Sequence, residues 1–439
     1  MFLNVINFFV FYLCITISCF GAQYVVLDDL ESSSGEAYER YLSKVPLAQR
    51  TLITSKENMS EPKLSTLSKI FSEIIFIETN KQYHFTSTME TLVIDLHKTR
   101  GIQRIITSPV EEVDIERAAD LRGYLGLLGQ SYESAVTFRN KLVMKDLAIA
   151  RGFKVPDYKE TNVGLDLIRF SEKHEFPLVV KPRNGMGSMS TTIIKDSEEL
   201  KRFVCDNYNA FYRSNFMVES FVRGRVYQVD GIYSNDRIIA WPSVYINSCL
   251  EMAVERKILG SHLLEGSNPL TKMLIDYAER LLTAFPTTEQ MPFHLEVFVT
   301  SPDQEIIFCE IASRVGGYVN ENWKLGFGFD LEQTFVESQA GLQEEIREMK
   351  LVSPLVIPGW LLFPAESNKT IEHIETECPL HYCKAYKSMK KNGDHIASTL
   401  GICSNLALAY IISDSEDDFM AKSSEMITWF KESLKYLEK

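Results

Sequence analysis

The sequence predicts an α/β protein: a helix-covered parallel sheet first, then strand-rich α+β elements that form a lid. Three observations predict it. Strand-like and helical stretches alternate between residues 23 and 125, the order that builds a parallel sheet. A glycine-bearing loop separates two short apolar strands within residues 176–194, FPLVVKPRNGMGSMSTTII. Two glutamates, Glu296 and Glu310, stand inside the apolar strands HLEVFV and IIFCEIA.

Taken in order, residues 23–29, QYVVLDD, read as a first strand ending on Asp28 and Asp29. Residues 64–70 read as a helix and 73–78, EIIFIE, as a strand; 90–96 and 102–107 continue the alternation, and Ser108-Pro109 closes it. Val113, Ala118, Leu121 and Leu125 lie near helical spacing and predict an amphipathic helix over 111–125. A domain boundary is expected near 131–134. A helix over 138–151 is stopped by Gly152, and Val155-Pro156 starts an extended segment. Helices at 164–175 and 198–212 flank the glycine loop. Residues 216–246 read as strands turning at Arg223-Gly224 and Ser234-Asn235-Asp236, and 268–285 as a helix. Strands at 360–362 and 407–413 and an amphipathic helix at 423–437 complete the chain.

The 439 residues, 45% hydrophobic and 24% charged, suffice for two or three packed domains. A net charge of −13 argues against a nucleic-acid surface. Any anionic ligand therefore needs a local cluster of cations, and Lys141, Lys181 and Arg314 supply one. The eight cysteines, at 14, 19, 205, 249, 309, 378, 383 and 403, show no regular spacing, which points to reduced thiols rather than a disulfide framework. Cys378, His381 and Cys383 sit close together but lack the second ligand pair a zinc site needs. Residues 1–22 are almost wholly apolar. They read as a signal peptide cleaved after Gly21, as an uncleaved anchor and so the sole membrane contact, or as a buried first strand.

The 176–194 stretch carries the chemistry of phosphate binding. Lys181 ends a strand and places a compact positive charge there, while Gly185, Gly187 and Ser188 let backbone N–H groups approach an anion. The lysine precedes the glycines, so this is no P-loop. A hairpin with a mobile glycine turn is the plainer alternative. Glu296 and Glu310 form the second constellation. A carboxylate inside a sheet is costly unless paired or bound to a cation, and two on adjacent strands can share Mg²⁺. Surface glutamates on edge strands are the alternative.

Residues 216–232, FMVESFVRGRVYQVDGI, then 294–300 and 307–317 follow the glycine loop in a fixed order, preceded by Arg139-Asn140-Lys141 and Met144-Lys145. This order resembles the ATP-grasp superfamily, and within it the carboxylate–amine ligases that join amino acids, over residues 118–331. The resemblance implies a pre-grasp domain at 23–132, an ATP-grasp domain at 133–341 with its lid at 155–222, and a C-terminal α/β subdomain at 342–439. It places Lys141 and Lys181 on ATP phosphates, with Gly185, Gly187 and Ser188 above them. Glu219, Ser220 and Val222 become the hinge beside adenine, and Glu296 and Glu310 the ligands of Mg²⁺ or Mn²⁺. Glu310-Ile-Ala-Ser-Arg314-Val-Gly316-Gly317 is similar to the EIxxRxGG segment of amino-acid ligases, which gives Arg314 and Lys181 catalytic roles. The implied reaction passes through an acyl phosphate and yields ADP, with amino-acid carboxylate and amine substrates, a cytoplasmic catalytic body and a homo-oligomer as a further expectation. Two positions depart from the pattern: Val226 replaces the ribose-binding acid, and Ala312 replaces an asparagine. Asp230 reads as structural and His262 as a surface residue or part of the acceptor pocket. A kinase or carboxylase-type enzyme of the same fold, or a non-catalytic or secreted nucleotide-binding protein, are the alternatives.

Overall fold

The computed structural model describes residues 23–30, 35–57, 59–79, 86, 88–112, 114–207, 216–288, 290–342, 351–397 and 405–437. The apolar segment 1–22, Val113, residues 208–215 and Cys403 lie outside the described residues. The chain divides into two compact units, one of residues 1–136, 287–291 and 331–348, the other of 137–286, 292–330 and 349–439.

The first unit is built on β1 (Gln23–Leu27), β2 (Arg50–Thr54), β3 (Glu73–Phe76) and β4 (Ile102–Thr107), in the order β3-β2-β1-β4. Every pairing is parallel, as the alternation predicts. Alternating residues of β1 feed opposite faces. Val26 packs with Leu67 and Ile70 of the helix Glu61–Ile70 and with Val336 of the helix Leu331–Gln339. Val25 and Leu27 pack with Met89 and Val93 of the helix Thr88–Arg100 and with Ala118 of the helix Ile115–Leu125. Strand β2 was not expected from RTLIT, which carries one charge and two threonines. Its Arg50 is buried, with Nε donating to Val45 O at 2.8 Å and Nη1 to Ile70 O at 3.2 Å.

The second unit holds two larger sheets. The lid sheet comprises β5 (Tyr158–Thr161), β6 (Leu178–Pro182), β7 (Thr192–Ile194) and β8 (Phe216–Ser220), antiparallel in the order β5-β8-β6-β7. Leu178 and Val180 of β6 and Val218 of β8 pack on Leu167, Phe170 and Leu200 of the two covering helices. These end at Ser171 and Asp206, earlier than the sequence suggests.

The main sheet adds β9 (Gly224–Ser234), β10 (Arg237–Asn247), β11 (Leu259–Leu263), β12 (Gln290–Thr300), β13 (Ile306–Ala312) and β14 (Ile357–Pro364). With β15 (Lys369–His373), β16 (Cys383–Ser388), β17 (His395–Ile396), β18 (Asn405–Ser413) and β19 (Lys435–Tyr436), the order is β13-β12-β9-β10-β11-β14-β18-β16, and β17-β15-β19 form a small separate sheet. The segment expected as a C-terminal subdomain thus contributes β14, β16 and β18 to the sheet that carries Glu296 and Glu310. The turn between β9 and β10 uses Asn235 and Asp236 at φ 48° and 66°, left-handed values that these residues tolerate. The terminal helix spans Glu416–Ser433 and starts earlier than expected because Ser415 caps it, its Oγ accepting from Asp418 N at 3.1 Å.

At the end of β1, Asp28 accepts from Leu30 N and Tyr38 Oη, both at 2.8 Å. Burial, aided by repulsion from Asp29 and Glu111, outweighs these bonds and lifts the carboxyl to about 7. Burial likewise lifts nearby Asp114 to about 6. A carboxyl whose folded value is raised stabilises the fold fully below its unfolded value, and the contribution fades as pH rises to the folded one. Stability of the first unit should therefore fall between pH ~4 and ~7, at up to about 1.4 kcal/mol per pH unit for each such group. Urea unfolding across that range should show the slope, and Asp28→Asn should flatten it; an equal slope in the variant would remove Asp28 as its source.

Candidate functional site

The helix Lys141–Ala150 starts later than the pattern suggests, because Asn140 caps it, with Oδ1 accepting from Leu142 N at 3.1 Å. The cap places Lys141 in the first turn and Lys145 one turn on, on the same face. Lys141 Nζ donates to Gly185 O at 2.6 Å and lies 3.2 Å from Glu310 Oε2. Arg139 Nη1 reaches the same carbonyl at 3.3 Å. The lid loop is thus tied to the start of this helix by two cations.

Lys145, which the sequence marks only as part of the segment Met144-Lys145 with no role of its own, is fully buried. Its Nζ lies 3.0 Å from Glu219 Oε2 and donates to Cys309 O at 2.9 Å. Lys181, at the end of β6, pairs with the other oxygen of Glu219. Glu219 therefore sits between two ammonium groups in the interior. Burial opposes its charge, yet Lys145 and Lys181 hold its carboxyl below the ordinary range. Burial also opposes the charge on Lys181, and Glu219 more than offsets it.

Strands β12 and β13 set Glu296 directly opposite Glu310. The register shifts immediately beyond this pair: Val297 faces Phe308, and Cys309 has no opposite residue. Such a bulge re-aims neighbouring side chains. It leaves Glu296 and Glu310 on one face and Cys309 O directed at Lys145. Burial works against ionisation of Glu310, but Lys141 and then Lys181 lower it to about 2. Glu296 Oε1 accepts from Tyr245 Oη at 2.8 Å and lies 3.5 Å from His294 Nε2. His294 Nδ1 pairs with Asp230 Oδ1 at 2.7 Å. Burial disfavours the imidazolium, yet Asp230 raises it to about 9.

Lys141, Lys181, Glu219, Glu296 and Glu310 all line one cavity of about 520 Å³. Gly185, Gly187 and Ser188 of the glycine loop, and Ser220 and Val222, expected as a hinge, line it too. Gly187 and Ser188 take φ 54° and 56°, the left-handed turn that glycine supplies freely. Arg314 is not among the lining residues; its Nη1 donates to Val315 O at 3.0 Å, and its charge bears on His294 and Cys249. Val226 lines the cavity and packs with Met252 and Trp360. An apolar cluster thus surrounds the position at which the resemblance leads one to expect an acid. His262 is buried, not a surface histidine: its ring lies against Phe419, centroids 4.6 Å apart, and Nδ1 is 2.9 Å from Leu263 O. Among the described residues no group of three or more His, Cys, Asp or Glu is placed to hold a metal, Cys378, His381 and Cys383 included. None of the described helices is long and apolar enough to cross a membrane.

Residues 174–322 match the ATP-grasp domain family. Over 243 residues the chain is 26% identical to the L-arginine-specific L-amino acid ligase of Bacillus subtilis, covering 53% of this chain and 56% of that protein. It is 29% identical over 114 residues to the D-alanine--D-alanine ligase of Geobacter sulfurreducens, covering 25% of this chain and 35% of that one. The chain thus spans about half or less of these curated relatives. The L-amino acid ligase of Bacillus licheniformis superimposes with a TM-score of 0.74 at 16% identity, over 95% of this chain and 99% of that one. Phosphoribosylglycinamide synthetase of Anaerococcus prevotii does so at 0.64 and 14%, over 95% and 100%. The fold is the ATP-grasp fold. Beyond the domain match at residues 174–322, the chain is similar over about half its length to a carboxylate–amine ligase of that fold.

The buried Glu219 pair carries a stability prediction. Removing one partner of a buried ion pair costs on the order of 3 kcal/mol, because it leaves a charge under-compensated. Lys145→Met should lower the stability of the second unit by about that much in urea unfolding. A change below about 1 kcal/mol would mean that Lys181 alone suffices.

Proposed function

We propose that the protein is an ATP-dependent carboxylate–amine ligase that forms an amide or peptide bond between amino acids, with ADP and phosphate as products. The observation that carries the reading is the opposed pair Glu296 and Glu310, beside Lys141 and Lys181 in the cavity beneath the glycine lid. Mg²⁺ suits this pair: it takes hard oxygen donors, and one or two protein carboxylates suffice when phosphates and water complete the shell. When bound it would neutralise charge on the ATP phosphates. Glu310, ionised by its lysine neighbours, is ready to ligate a cation.

The chain's own groups do the rest. Lys141 and Lys181 sit where the nucleotide phosphates would lie and balance their charge. The substrate carboxylate attacks the γ-phosphate and forms an acyl phosphate with release of ADP. The amine then attacks the acyl carbon and phosphate leaves. No protein nucleophile is needed, only charge compensation and positioning. Gly185 to Ser188 close over the reaction and keep out water that would hydrolyse the acyl phosphate. Arg314 holds the substrate carboxylate or phosphoryl oxygens through paired hydrogen bonds.

The ribose contact falls to Glu255, which lines the same cavity as Val226. Both Glu255 and its neighbour Glu251 pair with Lys257, at 2.9 Å and 3.0 Å, but Glu251 is also committed to the cap of its helix, accepting from Ser248 N at 2.8 Å. Glu255→Gln should weaken ATP binding several-fold while leaving 2′-deoxy-ATP nearly unaffected; calorimetry that finds equal losses for both nucleotides would reject the contact.

The reaction itself is tested by incubating the protein with ATP, Mg²⁺ and pooled amino acids, then identifying products by mass. ADP, phosphate and a dipeptide are expected. AMP with pyrophosphate, or a phosphorylated substrate as the stable product, would reject the ligase reading. Glu310→Gln should reduce turnover by at least 100-fold with the fold retained, the scale expected when a metal-held phosphoryl group loses a ligand. Near-wild-type turnover at saturating Mg²⁺ would displace Glu310 from the metal.

A further inference from the structure

We infer that Asp230 and His294 are positioning residues that set two parts of the site together: the carboxylate of Glu296 and the Arg314–Gly317 loop. The inference rests on the ligase reading, in which Glu296 holds the cation and the loop holds an anion. Asp230 on β9 and His294 on β12 lie on neighbouring strands of the main sheet and are buried. Their 2.7 Å contact fixes the ring through Nδ1, which leaves Nε2 pointing at Glu296 Oε1, 3.5 Å away. Tyr245 Oη donates to that same oxygen at 2.8 Å. Two groups converging on one carboxylate oxygen restrain its rotation, as partners behind a ligand do in metal sites generally.

The second half of the inference comes from Gly316. A Cβ there would stand 2.6 Å from Asp230 Oδ1 and 2.6 Å from His294 Nδ1. The loop backbone therefore rests directly on the pair, and only a residue without a side chain can lie this close. Asp230 Oδ2 is buried without a hydrogen-bond partner among the described residues. A buried carboxylate oxygen left unsatisfied is costly, and its retention fits a group held for where it points. One buried pair thus fixes the distance between the cation-holding carboxylate and the anion-holding loop.

Two readouts separate the halves: the affinity of the full chain for Mn²⁺ in the presence of ADP, followed by electron paramagnetic resonance, and the affinity of the resulting complex for inorganic phosphate, followed by calorimetry. Tyr245→Phe should weaken Mn²⁺ several-fold and leave phosphate unchanged. Gly316→Ala should weaken phosphate more than Mn²⁺, because the added methyl crowds the loop directly and Glu296 only through the pair. Asp230→Asn and His294→Leu should weaken both by about 10-fold or more, with His294→Gln recovering part of the Mn²⁺ affinity. The Asp230→Asn substitution preserves size, so the test survives if His294→Leu fails to fold. Wild-type binding of Mn²⁺ and phosphate with no change, or with only one affinity changed, in Asp230→Asn overturns the pair's joint role. A wild-type protein that binds no Mn²⁺ with ADP overturns the nucleotide-site reading as well.

Discussion

Glu219 held between Lys145 and Lys181 is the interaction on which the site depends. Lysine side chains are seldom fully buried without a partner, and here Lys145 is wholly inside and Lys181 nearly so. Each is tolerated because Glu219 shares its charge between them. The three residues come from three elements: the 141–150 helix, β6 and β8. The pair network therefore fixes the lid sheet against the helix that starts at Lys141. It also concentrates positive charge in a chain of net charge −13. Without such a local reserve, the long-range field of the protein would repel a nucleotide triphosphate.

The main sheet supplies the opposing charge by register. A one-residue slip would send every side chain to the other face, so the pairing of Glu296 with Glu310 is as much a feature of β12 and β13 as of the glutamates. The bulge at Cys309 joins the two halves, because its carbonyl meets Lys145 while the flanking Glu310 meets Lys141. Cations and carboxylates thus interlock across the boundary between helix and sheet, and the cavity lies along that line.

Much of this was legible in the chain, for reasons that differ by residue. Glu296 and Glu310 stood out because a carboxylate in an alternating apolar strand has no cheap place to go. Lys181 stood out because it ended such a strand. Lys145 did not: on an amphipathic helix a lysine four residues after Lys141 looks like any solvated one, and only the packing of β13 against that helix buries it. His294 was overshadowed by its neighbour Glu296, since a histidine in a strand announces no partner until Asp230 is placed on the adjacent strand. His262 looked exposed for want of any local sign that Phe419, far along the chain, would cover it. Strand β2 was hidden by low apolar content, and β14 joined β11 through a pairing that no local pattern encodes. The helix boundaries shifted where Asn140 and Ser415 capped them, a local signal that was present but outweighed by the apolar periodicity around it.

The departure at Val226 follows the same logic of packing. In the sheet its neighbours form an aromatic and aliphatic cluster with Trp360 and Met252. Trp360 comes from β14, one of the strands that the C-terminal segment adds to the main sheet. A carboxylate at 226 would face that apolar cluster and lose solvation, which is unfavourable without a partner. The helix Cys249–Glu255 lies between β10 and β11 and carries Met252 into the cluster, with Glu251 and Glu255 lining the cavity. One short helix thus brings both the apolar residue that packs with Val226 and acids that can take over the polar work. The apolar surroundings of Val226 and the acids at the cavity wall are two consequences of how that helix packs.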